Sequence, residues 1–407
     1  MQVIKLCTAL AILLVASFSR ASVWTAARRW TPELENQYSA WVAENYRFDI
    51  FSNPQSPWYG IPTDCADAAY AARIIFSAQN SLPVRFTSLQ TMTAVITNDM
   101  RAWDSLPAKT RVSEFIKYVG LNTGTPTLGY DTYPVKISAE FIRPGTIFLN
   151  PTLSPEEENI LGTRGGHAET VIAVEEDGFI RTLYSTTPRM VRNLITTRNP
   201  YTWPLSQLGG FRIWRNPATR SAAVSSLPGY STEQFYLAGW GPRVRPTRKQ
   251  IFQWHESIRR VLRQRPPTTD ERADVVIESI CNLWQGRVTA VQNAWQEIRA
   301  NGGRCLSAGL MDDHATNKRD ARLREAYGQL NDLMYFKKHD ENITDARGDV
   351  KDAKGLLQKC GIQTGIGTTD AWEMFLIMID GRLVSASQWE PAVRWGFNSK
   401  LAGHQCR

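Results

Sequence analysis

The apolar and polar positions divide this chain into three textures: a helical opening, a strand-rich middle and a helical end. In the opening part, Thr31-Pro32-Glu33-Leu34 reads as a helix start. Thr is the N-cap, Pro occupies the first turn where its missing N–H costs nothing, and an acid sits where the helix dipole favours it. Trp41, Val42 and Tyr46 supply that helix with an apolar face, and Asn53-Pro54-Gln55-Ser56-Pro57 break the chain. A second helix is predicted over residues 64–79, where Cys65, Ala68, Ala69, Ala72, Ile75 and Phe76 recur at helical spacing. The stripe is mostly alanine near its start, so another element can approach closely there. Asp64 fits the N-cap and Asp67 the acidic position of a capping box, and Leu82-Pro83 end the helix.

From about residue 140 to 217 the period changes to that of strands. Thr146-Ile147-Phe148-Leu149 follow a Pro144-Gly145 turn, and Thr170 to Val174 follow Gly165-Gly166-His167. Glu176-Asp177-Gly178 is a hairpin signal, with Phe179 to Tyr184 as the returning strand. Phe211-Arg212-Ile213-Trp214 read as a last strand. One helix-bearing segment followed by an antiparallel sheet is an α+β pattern. Residues 218–245 carry several Ser, Gly and Pro and read as a linker. Beyond them, helices are predicted over residues 247–264, 270–300, 319–336 and 349–358. The expected organisation is therefore a first domain over residues 22–217, the linker, and an all-α domain over residues 246–407.

Residues 1–21 stand apart. Lys5 precedes an apolar run from Leu6 to Phe18 that is too short to span a bilayer, and Ser19 and Ala21 are the small residues of a cleavage site. A cleaved secretory signal peptide is expected, which makes the mature protein secreted or periplasmic, and no later stretch is apolar enough for a stable membrane span. That compartment gives the cysteines meaning. Of six, Cys7 leaves with the signal, and Cys65, Cys281, Cys305, Cys360 and Cys406 remain. An odd number in an oxidising compartment leaves one thiol free. The four in the last third can form two disulfides within one unit, while Cys65 is alone in the first half. With 47 basic and 39 acidic residues the formal net charge is +8, which suits an anionic surface. The basic residues are scattered, with no stripe interleaved with aromatics, so nucleic acid is not an expected partner.

A thiol is a useful nucleophile only as thiolate, and a helix N-terminus favours the thiolate through its unpaired N–H groups and dipole. Cys65 occupies such a place, although ionised Asp64 and Asp67 would oppose it. A cationic partner is therefore needed, and an imidazole is the usual one. His255, His314, His339 and His404 lie amid polar residues of the helical region and read as surface histidines. His167 opens a strand directly after two glycines, of which Gly166 leaves room for another group, and it is the candidate base. The residue that orients this histidine is open among Arg181, Thr182 and Ser185. Trp58 and Tyr59, just before the Cys65 helix, either line a substrate groove or simply pack, and the Cys65 N–H is a candidate oxyanion donor. No second His or Cys stands near His167 at ligand spacing, so no metal and no cofactor is expected.

At these residues the chain resembles NlpC/P60 cysteine peptidases. The resemblance rests on Asp64-Cys65-Ala66-Asp67 with its helix and Leu82-Pro83-Val84-Arg85. It extends to Arg143-Pro144-Gly145-Thr146-Ile147-Phe148, and to Gly166-His167 with the hairpin through Asp177-Gly178 and Phe179-Ile180. It covers roughly residues 46–215. Ala66-Asp67 replace the small residue and glycine usual after the cysteine, and Thr146 replaces an aspartate. Cys65-Ala66-Asp67 and His167-Ala168 with Ser185-Thr186-Thr187-Pro188 are also similar to transglutaminase-like proteins. Both resemblances imply a papain-like core. The first implies a thiol amidase or endopeptidase acting on peptidoglycan stem peptides, with Trp58, Tyr59, Asp64, Asp67 and Gly166 near the substrate. The second implies acyl transfer to an amine. A third expectation is a catalytically weak module that holds a wall fragment or a peptide partner.

Overall fold

The first helix, α1 (Pro32–Asn45), begins as its sequence dictates: Thr31 Oγ1 accepts from Leu34 N at 3.3 Å. The second, α2 (Cys65–Gln79), is capped reciprocally. Asp67 N donates to Asp64 Oδ1 at 3.2 Å and Asp64 N to Asp67 Oδ2 at 2.9 Å. These elements belong to a computed structural model that describes residues 22–151, 166–198, 209–239, 248–265, 268–338 and 353–407. The predicted signal segment, part of the predicted linker and the start of the last predicted helix lie outside the described residues.

A small hairpin, β1 (Arg85–Thr87) with β2 (Val95–Thr97), and two helices, α3 (Ala108–Asn122) and α4 (Thr125–Asp131), follow α2. The main sheet has six strands: β3 (Thr132–Pro134), β4 (Ile147–Asn150), β5 (His167–Val174), β6 (Ile180–Tyr184), β7 (Ile195–Arg198) and β8 (Gly210–Trp214). Their order across the sheet is β3-β8-β4-β5-β6-β7, and every pairing is antiparallel. The mixed α+β class is as expected; β3 and β7 are too short to carry a period in the sequence.

Two cores lie on the two faces of this sheet. On one, Ile147, Leu149, Ala168 and Leu183 pack with the alanines of α2 and with α1. On the other, Phe148, Val171, Ile180 and Phe211 pack with Trp254, Ile258 and Leu262. These last three belong to α5 (Arg248–Leu262). Trp254 stacks on Phe211 at 6.1 Å between ring centroids, and its Nε1 donates to Gln234 O at 2.7 Å. The first helix expected in the C-terminal domain is thus part of the sheet unit, and the expected linker contributes the buried Gln234 and Phe235.

The remaining helices form their own core. These are α6 (Thr269–Ala300), α7 (Ala308–His314), α8 (Asn317–Lys338), α9 (Lys354–Leu357), α10 (Ala371–Ile379) and α11 (Pro391–Arg394). Trp284, Leu323, Tyr327, Leu330, Phe375 and Trp395 are at its centre. Cys281 is bonded to Cys360 and Cys305 to Cys406, leaving Cys65 as the free cysteine among the described residues. One expectation is corrected: this unit is not all-α. Strands β9 (Gly361–Gln363) and β10 (Thr368–Asp370) pair as a hairpin. The glycines around Ile366 allow the turn, with Gly365 at φ +84°. Among the described residues no helix is long and apolar enough to cross a membrane.

Candidate functional site

Cys65 is the first residue of α2, and its thiol lies beside the backbone that joins His167 to Ala168. Burial pushes the thiol pKa well up, and the Asp64 and Asp67 carboxylates push it further. The backbone N–H groups of Ala168 and Ala66 oppose this and do not overcome it. At neutral pH Cys65 is therefore a protonated thiol.

Strand alternation decides what surrounds His167. Residues i and i+2 share a face, so Ala168 faces α2 while His167 and Glu169 face the other way. His167 Nε2 bonds Glu169 Oε1 at 3.1 Å, and both side chains are buried. Glu169 Oε2 accepts from Thr182 Oγ1 at 2.5 Å and from Thr197 Oγ1 at 3.3 Å. The Tyr184 ring stands edge-on to the imidazole at 4.8 Å. Burial lowers the pKa of His167, with the Glu169 hydrogen bond pulling the other way, so a neutral ring is favoured at neutral pH. Among the described residues no hydrogen bond joins Cys65 Sγ to His167, and His167 Nδ1 makes none.

The histidine's buried partner is thus Glu169, which the sequence reading missed. The signal was present: Glu169 is two residues beyond His167 on the same strand face. Of the expected orienting residues, Thr182 holds Glu169 and does not touch the ring. Ser185 donates to Thr63 O at 2.8 Å and fixes the segment before α2. Arg181 pairs with Glu175 at 2.8 Å.

The expected substrate-binding residues have mostly structural partners. Trp58 is buried in the α1–α2 core, whereas Tyr59 is exposed. Asp64 and Asp67 cap α2, and Arg189 clamps them, at 2.5 Å from Asp67 Oδ2 and 3.6 Å from Asp64 Oδ2. Burial, with Asp64 as the next cause, still raises the Asp67 pKa to about 7. Gly166 has φ +121°, and a Cβ there would come within 2.4 Å of Thr125 Oγ1 and 2.5 Å of Asn150 O. Only glycine fits the turn that starts β5, as its place before His167 implied. Among the described residues no three metal-ligating side chains cluster.

The helical unit closes over the His167 face. Asn282 of α6 donates to Thr196 O of β7, and Arg319 of α8 donates to Thr187 O at 2.6 Å. Arg322 of α8 is buried and near enough to His167 to lower its pKa, and both Arg319 and Arg322 act on Tyr184. No known protein family, curated protein or solved structure matches this chain.

Proposed function

We propose that this protein is an exported thiol amidase or endopeptidase of papain-like architecture, with Cys65 as nucleophile, His167 as base and Glu169 as the group that orients the base. The observation that carries the reading is the buried His167–Glu169 pair on the strand whose Ala168 backbone lies beside a thiol on the first turn of a capped helix. Glu169 takes Nε2, which leaves Nδ1 for the thiol. Sγ attacks an amide carbonyl, the thiol proton passes to Nδ1 and then to the leaving amine, and the C–N bond breaks. Water then hydrolyses the thioester and restores the thiol. Resemblance to NlpC/P60 peptidases suggests peptidoglycan stem peptides as substrate, in keeping with the basic net charge. The thiol is protonated and the imidazole neutral, so this is a resting arrangement. Because His167 faces away from α2, reaction requires its imidazole to swing round to Sγ.

Digestion of purified peptidoglycan, read by mass spectrometry, tests this. The intact protein yields new muropeptides and Cys65→Ala does not; identical products from both would sink the reading. Added amine distinguishes hydrolysis from transfer. The raised thiol pKa makes a separate prediction. Alkylation of Cys65 by iodoacetamide is slower than that of a simple thiol at pH 7 and rises about tenfold per pH unit towards pH 9, following the thiolate fraction. A fast, pH-independent reaction at pH 7 would mean a preformed ion pair. The missing Sγ–imidazole hydrogen bond also favours one alternative, a catalytically weak module that holds a wall fragment. Sedimentation with peptidoglycan, without cleavage and unchanged by Cys65→Ala, is its signature.

A further inference from the structure

Arginines gather where the two units meet, and they differ in how they are balanced. Arg189 is paired with Asp64 and Asp67, and Arg287 with Asp320 at 2.6 Å. Among the described residues, Arg192 and Arg319 have no ion-pair partner. Arg192 follows the strap after β6 and is only 9% exposed. Its Nη2 donates to Pro188 O, and its Nε is buried with no partner at all. Arg319, from α8 and only half-buried, donates to the carbonyls of Ala315 and Thr187, at 3.2 and 2.6 Å. Arg319 is close enough to disfavour the charge on Arg192. Burial first, and then this repulsion, lowers Arg192 to about 9; burial and Arg322 lower Arg319 to about 10. The carboxylates that each feels, Asp64 and Asp320, are the ones already held by Arg189 and Arg287.

Thr187 and Pro188 are neighbours, so the two arginines reach the same stretch of strap from the two units, and Arg192, though not Arg319, also lines a cleft of about 370 Å³ between β7 and α6. Arg192, Thr186 and Asn193 line one wall, and Asn282, Gln285 and Thr289 the other. None of the residues lining it is acidic. Burying a cation without a counter-charge is unfavourable unless something supplies that charge. The Arg192 guanidinium with amides and hydroxyls around one opening, and Arg319 on the adjoining carbonyl, are donors suited to a planar anion.

We propose that Arg192 and Arg319 form an anion site across the boundary of the two units, taking a carboxylate carried by the substrate. The sheet unit then supplies the thiol and one arginine, and the helical unit supplies the second arginine. That gives the C-terminal region a role in selecting acidic peptides. The source of the carboxylate rests on the acyl-substrate reading above; the anion site itself does not.

The test is calorimetric titration of the full mature chain carrying Cys65→Ala, so that binding is read without turnover. The ligands are an acetylated tripeptide with a free carboxylate, the same tripeptide as its amide, and inorganic phosphate. The carboxylate form binds at least tenfold tighter than the amide. Arg192→Gln and Arg319→Gln each reduce that advantage to below threefold, and Arg319→Lys retains part of it. Equal affinity for carboxylate and amide, or an advantage kept in both Gln variants, overturns the proposal. Arginine-dependent phosphate binding that exceeds peptide binding overturns the substrate assignment. Melting of each variant without ligand provides the control. Removing an unbalanced cation leaves the transition in place, whereas its loss makes the arginine a structural prop and ends the proposal. The two readings fail separately: peptide cleavage without arginine dependence removes the anion site alone, and arginine-dependent binding without Cys65-dependent cleavage removes the enzyme alone.

Discussion

The sheet unit and the helical unit solve the same problem by different means. The first packs both faces of a six-stranded sheet, and among its described residues Cys65 is a free thiol. The second has one helical core with two covalent links and a fully buried ion pair, Arg287 with Asp320. A sheet covered on both sides closes many long-range contacts at once. Helices joined by long connections do not, and cross-links that constrain the unfolded chain gain most there. The free cysteine therefore sits in the unit that holds together without disulfides, where a reactive thiol has no bonded partner to exchange with.

Reduction should break this symmetry most. The two bridges close loops with sequence separations of 79 and 101 residues. Chain-entropy arguments value each at about 4–5 kcal/mol. Hydrogen exchange before and after reduction should show α6, α8 and α10 losing protection while β4 and β5 keep theirs. Equal loss in both units would mean that they fold as one.

Asp320→Asn comes next. Asp320 accepts from Arg287 Nε at 2.6 Å, Ser385 Oγ at 2.7 Å and Thr316 Oγ1 at 3.0 Å, with no exposure on either charged side chain. Leaving Arg287 buried and unpaired costs about 3–5 kcal/mol. The corresponding pair in the sheet unit is Arg73 with Glu35, where Glu35 is 30% exposed and Arg73 also lies 3.3 Å over the Trp30 ring. Glu35→Gln should cost only about 1–2 kcal/mol. Denaturant midpoints of the two variants measure the contrast, and a reversed order would mean that solvent reaches Arg287.

Trp254→Ala tests where the boundary between the units lies. A large aromatic removed from a core costs about 3–5 kcal/mol, and here the loss should appear in the sheet unit. This is also where the sequence was least readable. The sequence at residues 247–264 reads as a helix, and α5 is that helix. Periodicity reports that a face must be covered; it does not say by what, and here the cover is Phe211 of a distant strand. The caps of α1 and α2 were legible because capping is local, as was the odd cysteine, because pairing is arithmetic. Glu169 was legible in principle, two residues from His167. Arg192 and Arg319 were not, because no local rule brings a strap after β6 to the start of α8.

Thr182→Val has the smallest expected effect and addresses the candidate site most directly. Thr182 supplies the shorter of the two hydroxyl bonds to Glu169, at 2.5 Å against 3.3 Å from Thr197. Valine keeps the volume and removes the donor, so the buried carboxylate loses part of its satisfaction, worth about 1–3 kcal/mol. A Glu169 carboxylate that is less well held orients the imidazole less firmly. If Glu169 acts through His167, Thr182→Val should lower turnover and leave peptide affinity unchanged, and Glu169→Gln should do the same more strongly. If the pair is only structural, both substitutions should shift melting alone, and the rate of Cys65 alkylation at pH 8 should not change.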